Sequence, residues 1–255
     1  MTENLALFCR RTDPDRFLTA LFAPAARRDS LFALIAFNHE LARAREVARE
    51  PMLAMIRLQW WRETVLGARR RHEVAGSLGA AIENGALDRA GLLAMIDARE
   101  AECDAAIEDM TAWRAYVDGT AGQFAVSAGR LLGAGPALLD RLRTLGTAVG
   151  VAGQIANLSA QALQSRCLLP VDRLAAHGLS SAMVIAEPGL ARPVLDELAA
   201  LGRTMLAETA GPWPRASIAA ALPGVLAARD LRRGDRARGL AAKLAVVGAG
   251  LSGRI

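Results

Sequence analysis

The sequence predicts an all-α fold, and three observations predict it. Alanine, leucine and arginine dominate the 255 residues, and these are strong helix formers. Hydrophobic residues make up 53% of the chain but aromatics only 4%, a balance that suits helices better than sheets. Apolar residues recur at helical spacing between proline and glycine breaks. The length suits a single domain over 1–255 with a substantial core.

Each element follows from its punctuation. Pro24 ends a first apolar segment, and Asp29-Ser30 predicts the cap of a helix from Leu31 to Arg49 with Leu34, Phe37, Leu41 and Ala44 near one face. Pro51 stops it. A second helix holds Met55, Leu58, Gln59, Trp61, Arg62 and Val65 and ends in the basic cluster around Arg70. Asp88-Arg89-Ala90-Gly91 opens a third that carries Leu92, Met95 and Ile96 and, further on, Cys103 and Ile107. Thr111 through Leu132 reads as another, broken at Gly133-Ala134-Gly135-Pro136. The run from Ala137 to Leu163 is the longest weakly polar stretch and is predicted to be the most buried. After Arg166-Cys167-Leu168-Leu169-Pro170 come short segments to Ser181, a helix near Arg192 to Glu208, and a last pair split by Gly211-Pro212-Trp213-Pro214 and Gly234.

The net charge of +5 comes mostly from arginine, which suits contact with phosphate, anionic lipid or an acidic partner, although solvated helix faces explain it as well. A basic balance without aromatic interleaving predicts no nucleic-acid partner. The start of the chain lacks the pattern of a signal peptide, and no apolar run is long enough to span a bilayer. Cys9, Cys103 and Cys167 are odd in number and far apart, so neither a disulfide framework nor a zinc site is expected, and the default compartment is the reducing cytoplasm.

Two motifs fail on physical grounds. Gly248-Ala249-Gly250-Leu251-Ser252-Gly253 matches a dinucleotide fingerprint by letter, but only Arg254 and Ile255 follow, so no helix N-terminus can seat a pyrophosphate. A frayed, small-residue C-terminus is the expectation. His39-Glu40-Leu41-Ala42-Arg43 begins like a zinc motif, but arginine stands where the second histidine must share the metal.

Several spaced segments together resemble the squalene/phytoene synthase family. They are Asp13-Pro14-Asp15-Arg16-Phe17-Leu18, the stretch from Arg28 through Phe37, Leu58-Gln59-Trp60-Trp61-Arg62-Glu63, and Tyr116-Val117-Asp118-Gly119-Thr120-Ala121-Gly122 with Leu131-Leu132-Gly133. Gly150 to Gln154, Asn157, Cys167 to Asp172 and His177-Gly178-Leu179 continue the likeness in order. The resemblance implies an antiparallel helical bundle around a central cavity. It also implies two Asp-x-x-x-Asp pairs, each on one helix face, gripping magnesium that bridges to a substrate diphosphate.

Set against that pattern, the first pair falls on Ala42 and Glu46 and the second on Gln161 and Ser165. Alanine, glutamine and serine cannot supply the anionic oxygen that magnesium requires, so no catalytic residue, metal site or cofactor is expected. The stretches Ala36 to Leu41 and Met55 to Val65 are similar to the branch of the family whose mitochondrial members help assemble respiratory complex I. The resemblance therefore implies a non-catalytic assembly factor, cytoplasmic and peripheral to the inner membrane, with complex I subunits or assembly intermediates as partners. The alternative is a prenyl transferase, joining prenyl diphosphates head to head, or a prenyl-lipid binder with altered metal use. Arg28, Arg43, Arg62 and Arg166 would then meet diphosphate, and Glu46 and Asn157 would matter most. Gln59 and Asn157 read as buried hydrogen-bonding residues rather than ligands, if their helices line the central cavity. Trp60 and Trp61 cannot both face one way on a helix, so at least one is packing.

Overall fold

The structure, a computed structural model, describes residues 5–48, 50–104, 106–233 and 239–255, with the backbone alone at Arg233. It is all-α, and no strand is formed among the described residues. The first half comprises α1 (Leu5–Thr12), α2 (Pro14–Ala20), α3 (Ala25–Glu46), α4 (Pro51–Leu66), α5 (Glu73–Glu83) and α6 (Arg89–Arg99). A 3-10 turn at Glu100–Cys103 leads to α7 (Met110–Val117), a π-helical turn at Asp118–Gly122, and α8 (Gln123–Leu131). Then come α9 (Pro136–Leu163), α10 (Val171–Ala176), α11 (Ser181–Ala186), α12 (Arg192–Glu208), α13 (Ile218–Ala221), α14 (Pro223–Arg233) and α15 (Leu240–Ser252).

The prolines and glycines act as the sequence suggests, with instructive exceptions. α3 begins six residues earlier than Leu31, because Pro24 holds the extended backbone at its start and Ala25-Ala26-Arg27-Arg28 are good helix formers, so Asp29 and Ser30 lie inside the helix and cap nothing. It ends at Glu46. Arg49 lies outside the described residues. Pro51 is the first residue of α4, where its missing N–H costs nothing, and Gly67 ends that helix in the left-handed region at φ 116°. Asp88 caps α6 by accepting from the Ala90 and Gly91 amides, as its spacing predicts. That helix stops at Arg99, so Cys103 falls in the following turn and Ile107 pairs with Pro170 outside any helix.

The stretch predicted as one helix from Thr111 to Leu132 is interrupted by its π turn. There Gly119 and Gly122 let neighbouring helices close in: a Cβ on Gly119 would lie 2.6 Å from the Ala98 Cβ, and one on Gly122 would lie 2.7 Å from Thr147 Oγ1. Facing it, α9 contributes Gly146 and Gly150, whose Cβ atoms would strike Ala125 and Val117. The expectation that α9 is the most buried helix fails at its C-terminal end, where Asn157, Ser159, Ala160 and Leu163 are exposed.

Two apolar clusters result. One joins α1 to α6 with α8 and the first half of α9 around Leu34, Phe37, Leu58 and Trp61; the other packs α7, α12 and the later part of α9 around Trp113, Val151 and Leu198. Trp61 is buried and Trp60 partly so, which divides the tryptophan pair between two faces of α4. The C-terminus is not frayed. The would-be fingerprint glycines lie within and just after α15, and the chain end is clasped by Gly211 and Ile255, which exchange two backbone hydrogen bonds of 2.9 and 3.2 Å. Gly234 lies outside the described residues.

Candidate functional site

The C-terminal ends of α3 and α9 face a cavity of about 510 Å³, closed on other sides by α2, the Glu100–Cys103 turn, α7 and the start of α14. Helix geometry explains the lining. On α9, Gln154, Asn157 and Gln161 recur at i, i+3 and i+7, so one helix face presents a ladder of carboxamides, and the C-cap residue Gln164 follows them into the lining. On α3, Asn38, Ala42 and Glu46 recur at i, i+4 and i+8 for the same reason.

Glu102 is a buried carboxylate of the lining. Its carboxylate accepts from Arg99 Nη1 at 2.5 Å, from Arg166 Nη2 at 3.1 Å and from the Tyr116 hydroxyl at 2.7 Å. Burial alone would raise its pKa, but the two guanidinium charges and the tyrosine hydrogen bond outweigh it and hold the carboxyl below its usual range. The same burial pushes the Tyr116 hydroxyl well above the ordinary phenol range, helped by the adjacent Glu102 charge. Tyr116 in turn accepts from Gln154 Nε2 at 3.2 Å, and Gln154 Oε1 accepts from Gln161 Nε2 at 3.1 Å. A continuous relay therefore runs from the ion-paired floor to the second motif helix. Near the rim, Asp13 caps α2 and pairs with Arg16 at 2.8 Å, while Arg16 lies over the Phe124 ring.

Three of the four motif positions, Ala42, Glu46 and Gln161, line the cavity. Ser165 does not join them. α9 ends at Leu163, and Ser165 sits in the left-handed region at φ 57°, so it is not one turn further along the helix face that carries Gln161. Magnesium does not fit this donor set. Glu46 is the single carboxylate at those four positions, and among the described residues no group of three or more His, Cys, Asp or Glu side chains is placed to hold a metal ion.

The remaining candidates scatter. Asn157 and Arg166 line the cavity, Asn157 as an exposed residue of its open side and not as a buried one. Gln59 is a correction: it is exposed on the outer face of α4 and donates to Glu63 at 3.3 Å, because the inner face belongs to Leu58 and Trp61. Arg62 bridges α4 to Asp97 and Glu100 at 2.5 and 2.6 Å, Arg43 lies 3.9 Å from Glu40, and Arg28 donates to the Ala23 carbonyl. None of these three arginines lines the cavity. Sequence reasoning missed Arg99 and Glu102 altogether. Their i, i+3 spacing is too common to mark a site; only the fold brings Arg166 and Tyr116 to them.

Comparison with known proteins agrees with this architecture. The squalene/phytoene synthase family model matches residues 9–246. A protein of Bos taurus described as NADH dehydrogenase (ubiquinone) complex I, assembly factor 6, is 29% identical over 177 residues, covering 67% of this chain and 53% of its own length. The Homo sapiens protein of the same description is 27% identical over the same coverage. The chain thus spans about half the length of these relatives. Among solved structures, a dehydrosqualene synthase superposes with a TM-score of 0.77 at 13% identity, covering 97% of this chain and 94% of the other. A squalene synthase from Alicyclobacillus acidocaldarius gives 0.66 at 17% identity, with 99% and 94% coverage. These likenesses establish the fold.

Proposed function

This chain belongs to the squalene/phytoene synthase family, and from that premise we propose that it is a non-catalytic member acting in the assembly of respiratory complex I, peripheral to the inner membrane. The observation that carries the reading is the second motif helix. Gln161 spends its amide on Gln154, and the helix ends before Ser165, so the position a metal pair would occupy is built into an internal hydrogen-bond relay. The similarity to proteins described as complex I assembly factor 6 supports the choice of partner.

No helix among the described residues is long and apolar enough to cross a membrane, which is consistent with action beside it. The test is genetic and biochemical. Cells lacking this chain are compared with cells carrying it or its Gln161→Ala variant, and assembled complex I is measured on native gels together with NADH:ubiquinone activity. The reading expects loss of assembled complex without the chain and rescue by both versions; normal assembly without the chain contradicts it.

A second reading, a prenyl transferase or prenyl-lipid binder with altered metal use, is favoured by one observation: the cavity between the motif helices persists. Against its diphosphate form, the arginines at the floor already share Glu102, and Glu46 adds negative charge at the rim. Mass spectrometry of lipid extracted from the purified protein distinguishes it, since a stoichiometric prenyl lipid is expected only on this second reading.

A further inference from the structure

α15 is apolar on two faces, and among the described residues only one of them is covered. Inward, Ala242 and Val246 are buried, and Gly250 abuts Phe22 so closely that a Cβ would lie 2.4 Å from the ring. Outward, Leu240, Leu244 and Leu251 are 72%, 60% and 69% exposed and, with partly buried Val247, follow the i, i+4, i+7, i+11 spacing of one helix face. The helix is not loose. Its C-terminal end is fixed by Gly253 in the left-handed region and by the Trp213 amide donating to the Gly253 carbonyl at 2.8 Å.

Charge decides what covers this face. α15 contains no aspartate or glutamate, and it carries exposed Lys243 and is followed by exposed Arg254. The α2–α3 turn that supplies Phe22 adds exposed Leu21, and the first turn of α3 adds exposed Arg27. Two copies of such a surface would set like charges against each other, whereas a bilayer of anionic lipid accepts leucines below its headgroups and cations among them.

We infer that the outward face of α15, with Leu240, Leu244 and Leu251 as the inserting residues and Lys243 and Arg254 as the headgroup contacts, seats this protein on an anionic lipid surface. The inference deepens the peripheral-membrane part of the proposed function and rests on it. Vesicle binding needs no complex I partner, so a failure here is distinguishable from a failure of the assembly role.

The experiment is co-sedimentation of the full chain with vesicles of equal parts phosphatidylcholine and phosphatidylglycerol, or of phosphatidylcholine alone. The wild type sediments with the anionic vesicles and at least roughly tenfold less with the neutral ones. Leu244→Glu with Leu251→Glu weakens binding by at least roughly tenfold, and so does Lys243→Glu with Arg254→Glu, which leaves the leucines in place. Leu163→Glu, at a leucine that is 90% exposed on α9, serves as control and leaves binding unchanged. Circular dichroism confirms that each variant is folded. The inference is overturned if the wild type stays in solution, binds neutral vesicles equally, or is unaffected by the two α15 variants. It is equally overturned if sedimentation velocity shows a dimer that Leu244→Glu with Leu251→Glu splits, because the face then receives a second copy.

Discussion

Gln161 donates its side-chain amide to the side-chain Oε1 of Gln154 at 3.1 Å, seven residues away on the same face of α9. The head of the second motif is therefore a structural hydrogen-bond donor, and a single carboxylate there would lose that donor without gaining a partner for a metal. Ala42→Asp with Gln161→Asp and Ser165→Asp puts a carboxylate at all four motif positions, Glu46 included, but does not restore the geometry, since Ser165 lies beyond the end of the helix. Titration calorimetry of this triple variant is expected to show no magnesium binding tighter than the wild type. Tight binding would mean that α9 can extend by a turn.

Ser165 itself makes a simpler test. A serine at φ 57° pays a backbone cost that glycine avoids. Ser165→Gly is expected to stabilise the protein by up to about 1 kcal/mol, read as a higher denaturant midpoint with an unchanged slope. An unchanged or lower midpoint contradicts the placement of this turn.

Glu102 governs the acid side of stability. Its folded pKa lies below the ordinary value of 4.5, so the ionised form is favoured in the fold. Its contribution is complete above the unfolded pKa and is lost as pH falls through the folded one, which places the loss below about pH 4.5. Glu102→Gln removes this part of the acid dependence. Glu102→Ala leaves Arg99 and Arg166 without their shared partner and is expected to cost about 3–5 kcal/mol near neutral pH. Tyr116→Phe, which removes one hydrogen bond to the carboxylate and one from Gln154, should cost about 1–3 kcal/mol. Urea melts across pH check the order of these losses.

The contact between α9 and the π turn is set by glycine. A Cβ on Gly146 would lie 2.5 Å from the Ala125 Cβ and 2.7 Å from the Ala121 carbonyl oxygen, so backbone must move to admit it. Gly146→Ala is predicted to destabilise by about 1–3 kcal/mol through overpacking. Gly76→Ala on α5, where nothing lies within 4 Å, should instead stabilise slightly. Equal melting temperatures for the two variants would refute the close approach.

Helix content and most breaks were legible because proline, glycine and the Asp88 cap act locally. α5 was not, since Gly76 and Gly79 disguise a periodic Val74, Leu78, Ala81, Ile82 face. The start of α3 is hidden in the sequence because Asp29-Ser30 looks like a cap, whereas Pro24 sets the boundary. Of the cavity, the motif positions on α3 and α9 could be placed from the resemblance and helical spacing. Arg99, Glu102 and Tyr116 could not, because their meeting with Arg166 depends on packing between segments about sixty residues apart, beyond any local pattern.

The central claim is that the fold persists without its metal-dependent chemistry. The direct measurement is incubation of the purified protein with radiolabelled farnesyl and geranylgeranyl diphosphate and magnesium, following diphosphate release and condensed product over hours. The account predicts no release above the protein-free rate from a well-folded sample. Steady turnover with a condensed prenyl product would contradict it and return attention to Glu46 and the arginines of the cavity floor.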